Sequence, residues 1–392
     1  MKQYDVAAYI WPSYTGDEPR ARIFWEEGYG EWQTVKKMTP KFEGHRWPRK
    51  PLWGYVNEAD PYVMEMQIEA AVDHGVNVFI YDWYWYDNKP FLEQCLDNGF
   101  LKARNNHKMK FYLMWANHTA DTMWDKRNSD LRIPVWDGAV DRKTFEYVVQ
   151  RTIEKYFSHP CYYKIDGKPV YMLFDIPNFV RGLGGLEAAK DALAWFRAKT
   201  VEAGFPGLEL QLCVKGSNKM EQRVTDTQTV IDAANALGFD SGALYQYRDF
   251  TATNRSYPEI FSDAIQESEK MASRLNFPVY PHVSVGWDSN PRYNRFRDDV
   301  CTDNTPENVQ KAFAYAKEYI DAHPDLPAPL VTVNSWNEWT ETSYLEQDAD
   351  LIVVMEGGSI NGVGTHDELL RTNAIYKEVF ESQTKGGGED NG

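Results

Sequence analysis

The chain has 392 residues, room for one large α/β barrel, and its 58 Asp and Glu against 42 Lys and Arg leave a formal charge of -16. That charge repels a phosphate backbone or an anionic membrane surface, and no apolar run reaches membrane-spanning length, so neither nucleic acid nor membrane is expected as a partner. Aromatic residues make up 15% of the chain, with 14 Trp and 24 Tyr, more than a barrel core of Val, Ile and Leu requires, which points to a ligand surface.

In chain order, short apolar, β-branched and aromatic runs alternate with longer segments of helical period, the pattern of a parallel sheet with crossover helices. Strands are predicted at Tyr4 to Trp11, Val76 to Trp83, Lys110 to Trp115, Pro169 to Asp175, Leu208 to Val214, Ala243 to Tyr247, Val279 to Val285 and Leu330 to Ser335. Between them, helices are predicted over 60–74, 89–104, 141–157, 185–203, 226–237, 257–275 and 305–322, followed by turn signals such as Gly75 or Gly204-Phe205-Pro206. His366 to Gln383 supplies an eighth helix, and the count closes a (β/α)8 TIM barrel of the α/β class. The stretch from Pro12 to Ala59 is too long for an ordinary loop and is expected to fold over the barrel mouth.

The four cysteines, Cys95, Cys161, Cys213 and Cys301, match no ligand spacing and no dense disulfide framework, which fits a reducing compartment. Met1 to Asp5 enters an apolar strand without a basic leader or cleavage site, so a soluble, cytoplasmic chain is expected. No metal triad can be drawn. Gly182-Leu183-Gly184-Gly185 lacks the strand context and the Lys-Ser/Thr of a phosphate loop, so no cofactor is expected.

In this fold, chemistry sits at the C-terminal strand ends. Those ends carry Trp11; Asp82, Trp83 and Trp85; Trp115, Asn117 and His118; Asp175; Arg248 and Asp249; Trp287 and Asp288; and Trp336-Asn337-Glu338-Trp339 with Glu341. Flat aromatic faces suit the C–H faces of sugar rings, and Asn, Asp, His and Arg pair with hydroxyls, so the mixture favours sugar over lipid. Glycoside cleavage needs two carboxyl groups flanking the bond. Glu338 is the first catalytic candidate, because it follows an apolar strand between two tryptophans, where desolvation raises a carboxyl pKa. Asp175, at the end of Val170 to Phe174, is the second; as a cap it would be structural. Glu341 shares the face of Glu338 if the chain turns helical there, as a further acid or a hydroxyl ligand. His118 and His282 read more readily as hydrogen-bonded core residues than as metal ligands.

Several motifs in order, Glu31 to Lys37, Pro61 to Gln67, Tyr81 to Tyr86, Trp115-Ala116-Asn117 and Asn334 to Glu341 with Leu345-Glu346, resemble the glycoside hydrolase family 99-like domain, also called the WbsX-like domain, over residues 4–348. The resemblance implies a (β/α)8 barrel acting on glycans, with members labelled both hydrolases and glycosyltransferases. Family 99 enzymes cleave internal α-mannosidic linkages with glutamates in a His-Ile-Glu-Pro-Tyr type stretch, which is absent from this sequence, so mannan specificity does not carry over. Their Asn-Glu-Trp-x-Glu-Gly segment matches Asn337 to Glu341, with Thr342 in place of the glycine, and implies sugar contact there.

A second resemblance covers Asp348 to Gln383, where Leu351 to Gly358 and Gly362 to Leu370 look like the C-terminal end of an ABC-transporter ATPase. The chain is therefore expected to be a chimera: a hydrolase-like barrel over 1–348, an ATPase-like fragment over 349–383 standing in for the last barrel helix, and a disordered tail over 384–392. The fragment should be a hairpin turning at Gly357-Gly358 and a helix capped near Thr365; without a Walker A motif it handles no ATP. The leading expectation is a glycoside hydrolase acting on a poly- or oligosaccharide through a carboxylate pair. The alternatives are a WbsX-type glycosyltransferase and a non-catalytic glycan-binding barrel, and oligomeric state stays open.

Overall fold

A computed structural model describes residues 4–16, 18–349, 352–356, 359–364 and 366–385. Eight strands form the central sheet: β1 Asp5–Ile10, β2 Val78–Tyr86, β3 Lys110–Trp115, β4 Lys168–Leu173, β5 Glu209–Val214, β6 Ser241–Leu244, β7 His282–Ser284 and β8 Leu330–Asn334. Their spatial order is β6-β5-β4-β3-β2-β1-β8-β7, each neighbour parallel. The ring closes where Gly242 in β6 donates to Pro278 and accepts from Tyr280, both at 2.8 Å. This is a (β/α)8 barrel, each strand in the predicted place to within a few residues.

The crossover helices start where the sequence supplies caps. They are α1 Pro61–Asp73, α2 Arg142–Thr152, α3 Leu186–Glu202, α4 Val230–Leu237, α5 Tyr257–Ala272 and α6 Pro306–Ala322. Asp60, Asp141 and Thr305 each accept a first-turn backbone N–H, while Thr229 with Asp232 and Ser256 with Glu259 form reciprocal capping boxes. Inside the ring, Tyr9 donates to Leu244 O (2.8 Å), Tyr112 to Gln211 (3.0 Å), and His282 bonds Thr332 (2.9 Å) and Ser284 (3.0 Å). The interior is a packed, hydrogen-bonded plug. Burial there pushes His282 down to about 3, so it is a neutral core residue.

One predicted helix is absent. Over 89–104, Lys89–Phe91 folds back antiparallel on Tyr84 to Tyr86, and only a π-helical turn, Cys95–Gly99, and a 3-10 turn, Phe100–Lys102, follow. A Cβ on Gly99 would lie 2.1 Å from the Glu58 carbonyl oxygen, so this segment presses directly onto the backbone that carries Glu58. A helix not predicted, Ile176–Leu183, fills the turn after β4 and ends at left-handed Gly184.

At the C-terminus, Ile352–Glu356 pairs antiparallel with Ser359–Gly364 as a separate two-stranded sheet; Gly357-Gly358 and Thr365 lie outside the described residues. The single helix predicted next is two, His366–Thr372 and Ala374–Lys385, because Asn373 accepts from Tyr376 N (2.9 Å) and caps a new start. Thr384 and Lys385 thus end a helix, while 386–392 lie outside the described residues. Val354 and Leu369 are buried without joining either large apolar cluster of the barrel. Among the described residues no helix is long and apolar enough to cross a membrane, and no three His, Cys, Asp or Glu are grouped to hold a metal ion.

Candidate active site

The barrel mouth opens into a cavity of about 510 Å³. Its wall combines aromatic faces, among them Trp11, Tyr84, Trp124, Tyr245 and Trp287, with the carboxyl groups of Asp82, Asp175, Asp249, Glu338 and Glu341. Trp11, Tyr84 and Trp124 form one surface, with ring centroids 5.3 to 5.6 Å apart. Such a face matches the C–H side of a sugar ring.

Arg292 is the hub. It projects from the irregular segment between β7 and α6, is only 3% exposed, and binds three carboxylates at once. Its Nε donates to Glu31 (3.2 Å), one terminal nitrogen to Glu338 (2.5 Å) and the other to Glu341. Glu31 also accepts from the Trp11 indole at 2.5 Å. The long segment 12–59 therefore packs against the site through Glu31, although none of its described residues lines the cavity. Three carboxylates around one guanidinium would leave two uncompensated charges in a buried place. Burial, then the Glu341 charge, push Glu338 well above the usual carboxylate range against the pull of Arg292. Burial likewise raises Glu341, opposed by Arg292 and Arg248. The two carboxyls are thus electrostatically coupled, each made harder to ionise by burial and each drawn toward ionisation by Arg292.

Asp82 lies in the same wall, 3% exposed, with Oδ2 accepting from Tyr245 (3.1 Å) and Oδ1 without a partner among the described residues. Burial holds its carboxyl well above the ordinary value, and it lines the cavity within reach of a ligand hydroxyl. Asp175 also reaches the cavity but accepts from Asn178 N (2.7 Å) as the cap of Ile176–Leu183. Its structural work is visible. His118 lines the cavity, with burial lowering its pKa; Arg248 and Trp287 line it together, the guanidinium 4.4 Å from the indole centroid.

Six residues expected at the mouth lie behind it. Side chains alternate along a strand, so with Asp82 and Tyr84 inward, Trp83 and Trp85 point outward. Trp83 donates to Glu93 (2.7 Å) and stacks on Trp85, and Trp115 stacks on Phe145 of α2. Trp336 is outside too, donating to Gln67 of α1 (3.3 Å). Asn117 clamps both backbone polar groups of Asp175 at 2.8 Å. Asp288 accepts from Asn290 (2.7 Å) and meets His45 (2.8 Å), which shapes the loop carrying Arg292. None of these six lines the cavity.

Asn337 is a seventh correction, and it leads to a second buried cluster. Its amide ties the end of β8 to that of β1, through Trp11 N (2.7 Å) and Trp11 O (2.9 Å), and donates to both oxygens of Glu58 (2.9 and 3.1 Å). Gln67 joins Glu58 (3.2 Å) to Glu346 (2.7 Å), and Glu346 accepts from the Trp339 indole (2.6 Å). This network grips the residues on both sides of Glu338. Burial raises Glu58 to about 7 and, with the Glu58 charge, raises Glu346 well above the usual range.

Sequence reasoning missed Arg292, Glu31, Glu58 and Tyr245 as site residues. Glu31 did lie in a motif, Glu31 to Lys37, and Arg292 sits in a basic stretch, Arg292 to Arg297, of an acidic chain; only these weak signals pointed to them.

Comparison with known proteins bears on this arrangement. Residues 6–352 match the family described as Glycosyltransferase WbsX. A curated relative, the uncharacterized protein WxcX of Xanthomonas campestris pv. campestris, is 25% identical over 338 residues, covering 85% of this chain; the chain spans about half, 46%, of that relative. Among solved structures, the GH99 endo-alpha-mannosidase from Bacteroides thetaiotaomicron superposes with a TM-score of 0.54 at 13% identity, covering 97% of this chain and 98% of that one. A glycoside hydrolase-like protein gives the same TM-score, 0.54, over 90% of this chain and 89% of its own. Both likenesses carry the barrel fold. Separately, 35 residues, 9% of this chain, are 54% identical to 6% of the subtilin transport ATP-binding protein SpaT of Bacillus subtilis. So short a match establishes neither an ATPase domain nor the expected chimera.

Proposed function

Because the chain belongs to the WbsX glycosyltransferase family, we propose that it works on glycosidic bonds of a poly- or oligosaccharide, and that hydrolysis through Glu338 and Glu341 is the reaction. The observation that carries this reading is the pair itself: two carboxyl groups in a cavity wall, bound to the two terminal nitrogens of one guanidinium, with burial raising the pKa of both. A protonated carboxyl can give its proton to the leaving oxygen while the ionised one activates water or attacks the anomeric carbon. Trp11, Tyr84 and Trp124 would carry the ring, and Asp82 would hydrogen-bond a hydroxyl. Arg292 holds the pair in register and keeps its second member charged. The fold shared with an endo-alpha-mannosidase makes mannosides worth including among the glycans offered.

The test is turnover of a glycan panel by the full chain and by Glu338→Gln and Glu341→Gln. Release of reducing ends by the parent and a loss of about 10²-fold or more in either variant support the reading; unchanged turnover in both variants sinks it. Aryl glycosides with good leaving groups separate the roles, since only the variant lacking the acid keeps activity on them.

Glycosyl transfer is the second reading, favoured by the family's name and by the cations Arg248 and Lys219 at the cavity, which could meet a sugar diphosphate. Consumption of a nucleotide sugar with no glycan hydrolysis would establish it. We further propose that residues 349–383 form a unit apart from the 1–348 barrel, which limited proteolysis would release.

A further inference from the structure

The cavity is charged unevenly. Cations on its wall are Arg132, Lys215, Lys219, Arg248 and Arg292. Arg132 is paired with Asp121 (2.8 Å), Lys215 with Asp249 (2.8 Å), and Arg292 with its three acids. Arg248 and Lys219 have no hydrogen bond or ion pair to a carboxylate among the described residues. Both are exposed residues on the cavity wall, so their charge is available to a ligand entering it.

The two cations stand on adjoining loops. Lys219 follows β5 and Arg248 follows β6, and the loops touch: a Cβ on Gly216 would lie 2.5 Å from the Asp249 carbonyl oxygen. The Arg248 guanidinium carbon lies 4.4 Å from the centroid of the Trp287 indole, and both residues line the cavity, so the guanidinium nitrogens are within reach of a ligand there. A planar fork of this kind matches one planar carboxylate in a bidentate pair. The neighbouring indole offers an apolar face to the ring that bears it. Arg248 also lies near enough to Glu341 to favour its ionised form, which puts this subsite next to the proposed catalytic pair.

We propose that Arg248 and Lys219, with Trp287 beneath, form a subsite for the carboxylate of a uronic acid residue, so that the glycan acted on is acidic. This rests on the reading of the cavity as a glycan site. It competes with the transfer reading for these two cations, because a sugar diphosphate held by them would displace a uronate carboxylate.

The experiment is binding, not turnover. Uronic acid-containing oligosaccharides and their carboxyl-reduced counterparts are displayed on an array and offered to the full chain, to Arg248→Gln and to Lys219→Gln, with UDP-glucose and GDP-mannose titrated in parallel. Both side chains are exposed, so the variants should melt with the parent. The expected result is roughly tenfold or greater preference for at least one acidic member over its reduced partner, lost in Arg248→Gln and weakened about threefold in Lys219→Gln, with neutral glycans held within about twofold. Equal retention within every pair, no retention of any acidic glycan, or a preference that survives in the double variant would overturn the proposal. Nucleotide-sugar binding that is lost in Arg248→Gln, without an acidic-glycan preference, assigns the cations to a diphosphate and overturns it as well. Failure here leaves the catalytic pair standing if neutral glycans are cleaved; failure of Glu338→Gln to lose activity leaves this subsite standing if the acidic preference holds.

Discussion

Two buried carboxylate clusters meet on the segment from Asn337 to Glu346, and they are built on opposite principles. Around Arg292, three acids share a cation, and two of them, Glu338 and Glu341, open onto the cavity while Glu31 is buried behind it. Around Gln67, Glu58 and Glu346 share a neutral amide and are sealed from it. A guanidinium can stabilise a charge that appears and disappears during a reaction, whereas an amide offers only fixed hydrogen bonds to groups that stay put. The first cluster suits chemistry, and the second suits holding Asn337 and Trp339, the neighbours of Glu338, in position.

The largest effect should come from the cationic cluster. Glu338→Gln or Glu341→Gln should cost about 10²- to 10⁴-fold in kcat with little change in melting, since each also removes a crowded buried charge. Arg292→Gln should destabilise the fold by roughly 3 to 5 kcal/mol in denaturant unfolding, because it leaves its acids without a counter-charge. In whatever fraction stays folded, both limbs of the pH–activity profile should move to higher pH. The cation lowers the pKa of both Glu338 and Glu341, so its loss lets protons stay on longer. A profile that does not move would detach Arg292 from the pair.

The amide-linked cluster should show itself in stability against pH. Glu58 is raised from 4.5 to about 7, so the folded chain binds a proton more tightly than the unfolded one between those values. Stability should therefore fall as pH rises through that window and level off above it, by on the order of 3 kcal/mol for the whole shift. Glu58→Gln should flatten this slope and lower kcat only modestly, without moving the activity limbs. A moved limb would show that the two clusters are electrically one. The smallest effect belongs to the outward tryptophans. Trp85→Phe deletes an indole N–H with no partner among the described residues, and should change stability by less than about 1 kcal/mol and leave KM unaltered. A raised KM would return Trp85 to the mouth.

The barrel was legible in the sequence because each strand is a short, mostly buried run rich in apolar, aromatic or β-branched residues and most helices carry a capping residue where they begin. Glu338 was legible because an acid directly after such a run must sit at the mouth. Parity was the error elsewhere: Trp83, Trp85 and Trp115 were assigned to the cavity by their nearness to a strand end, although alternate residues face the helices. Arg292 and Glu31 were hidden for another reason. They come from long irregular segments with no period, and only folding brings residue 31 next to residue 292. Asn337 and Asp288 were recognised as special, but their polar groups hold backbone and loop together where a ligand role was expected.

The central claim is that Glu338 and Glu341, held on Arg292, flank the bond that reacts. It is tested most directly by a crystal structure of Glu338→Gln with a bound oligosaccharide. The account predicts an anomeric carbon about 3 to 3.5 Å from an oxygen of one carboxyl position, with the other within hydrogen-bond reach of the glycosidic oxygen or of a water. A sugar ring lodged elsewhere in the cavity, with both positions still closed on Arg292 and out of its reach, would contradict it.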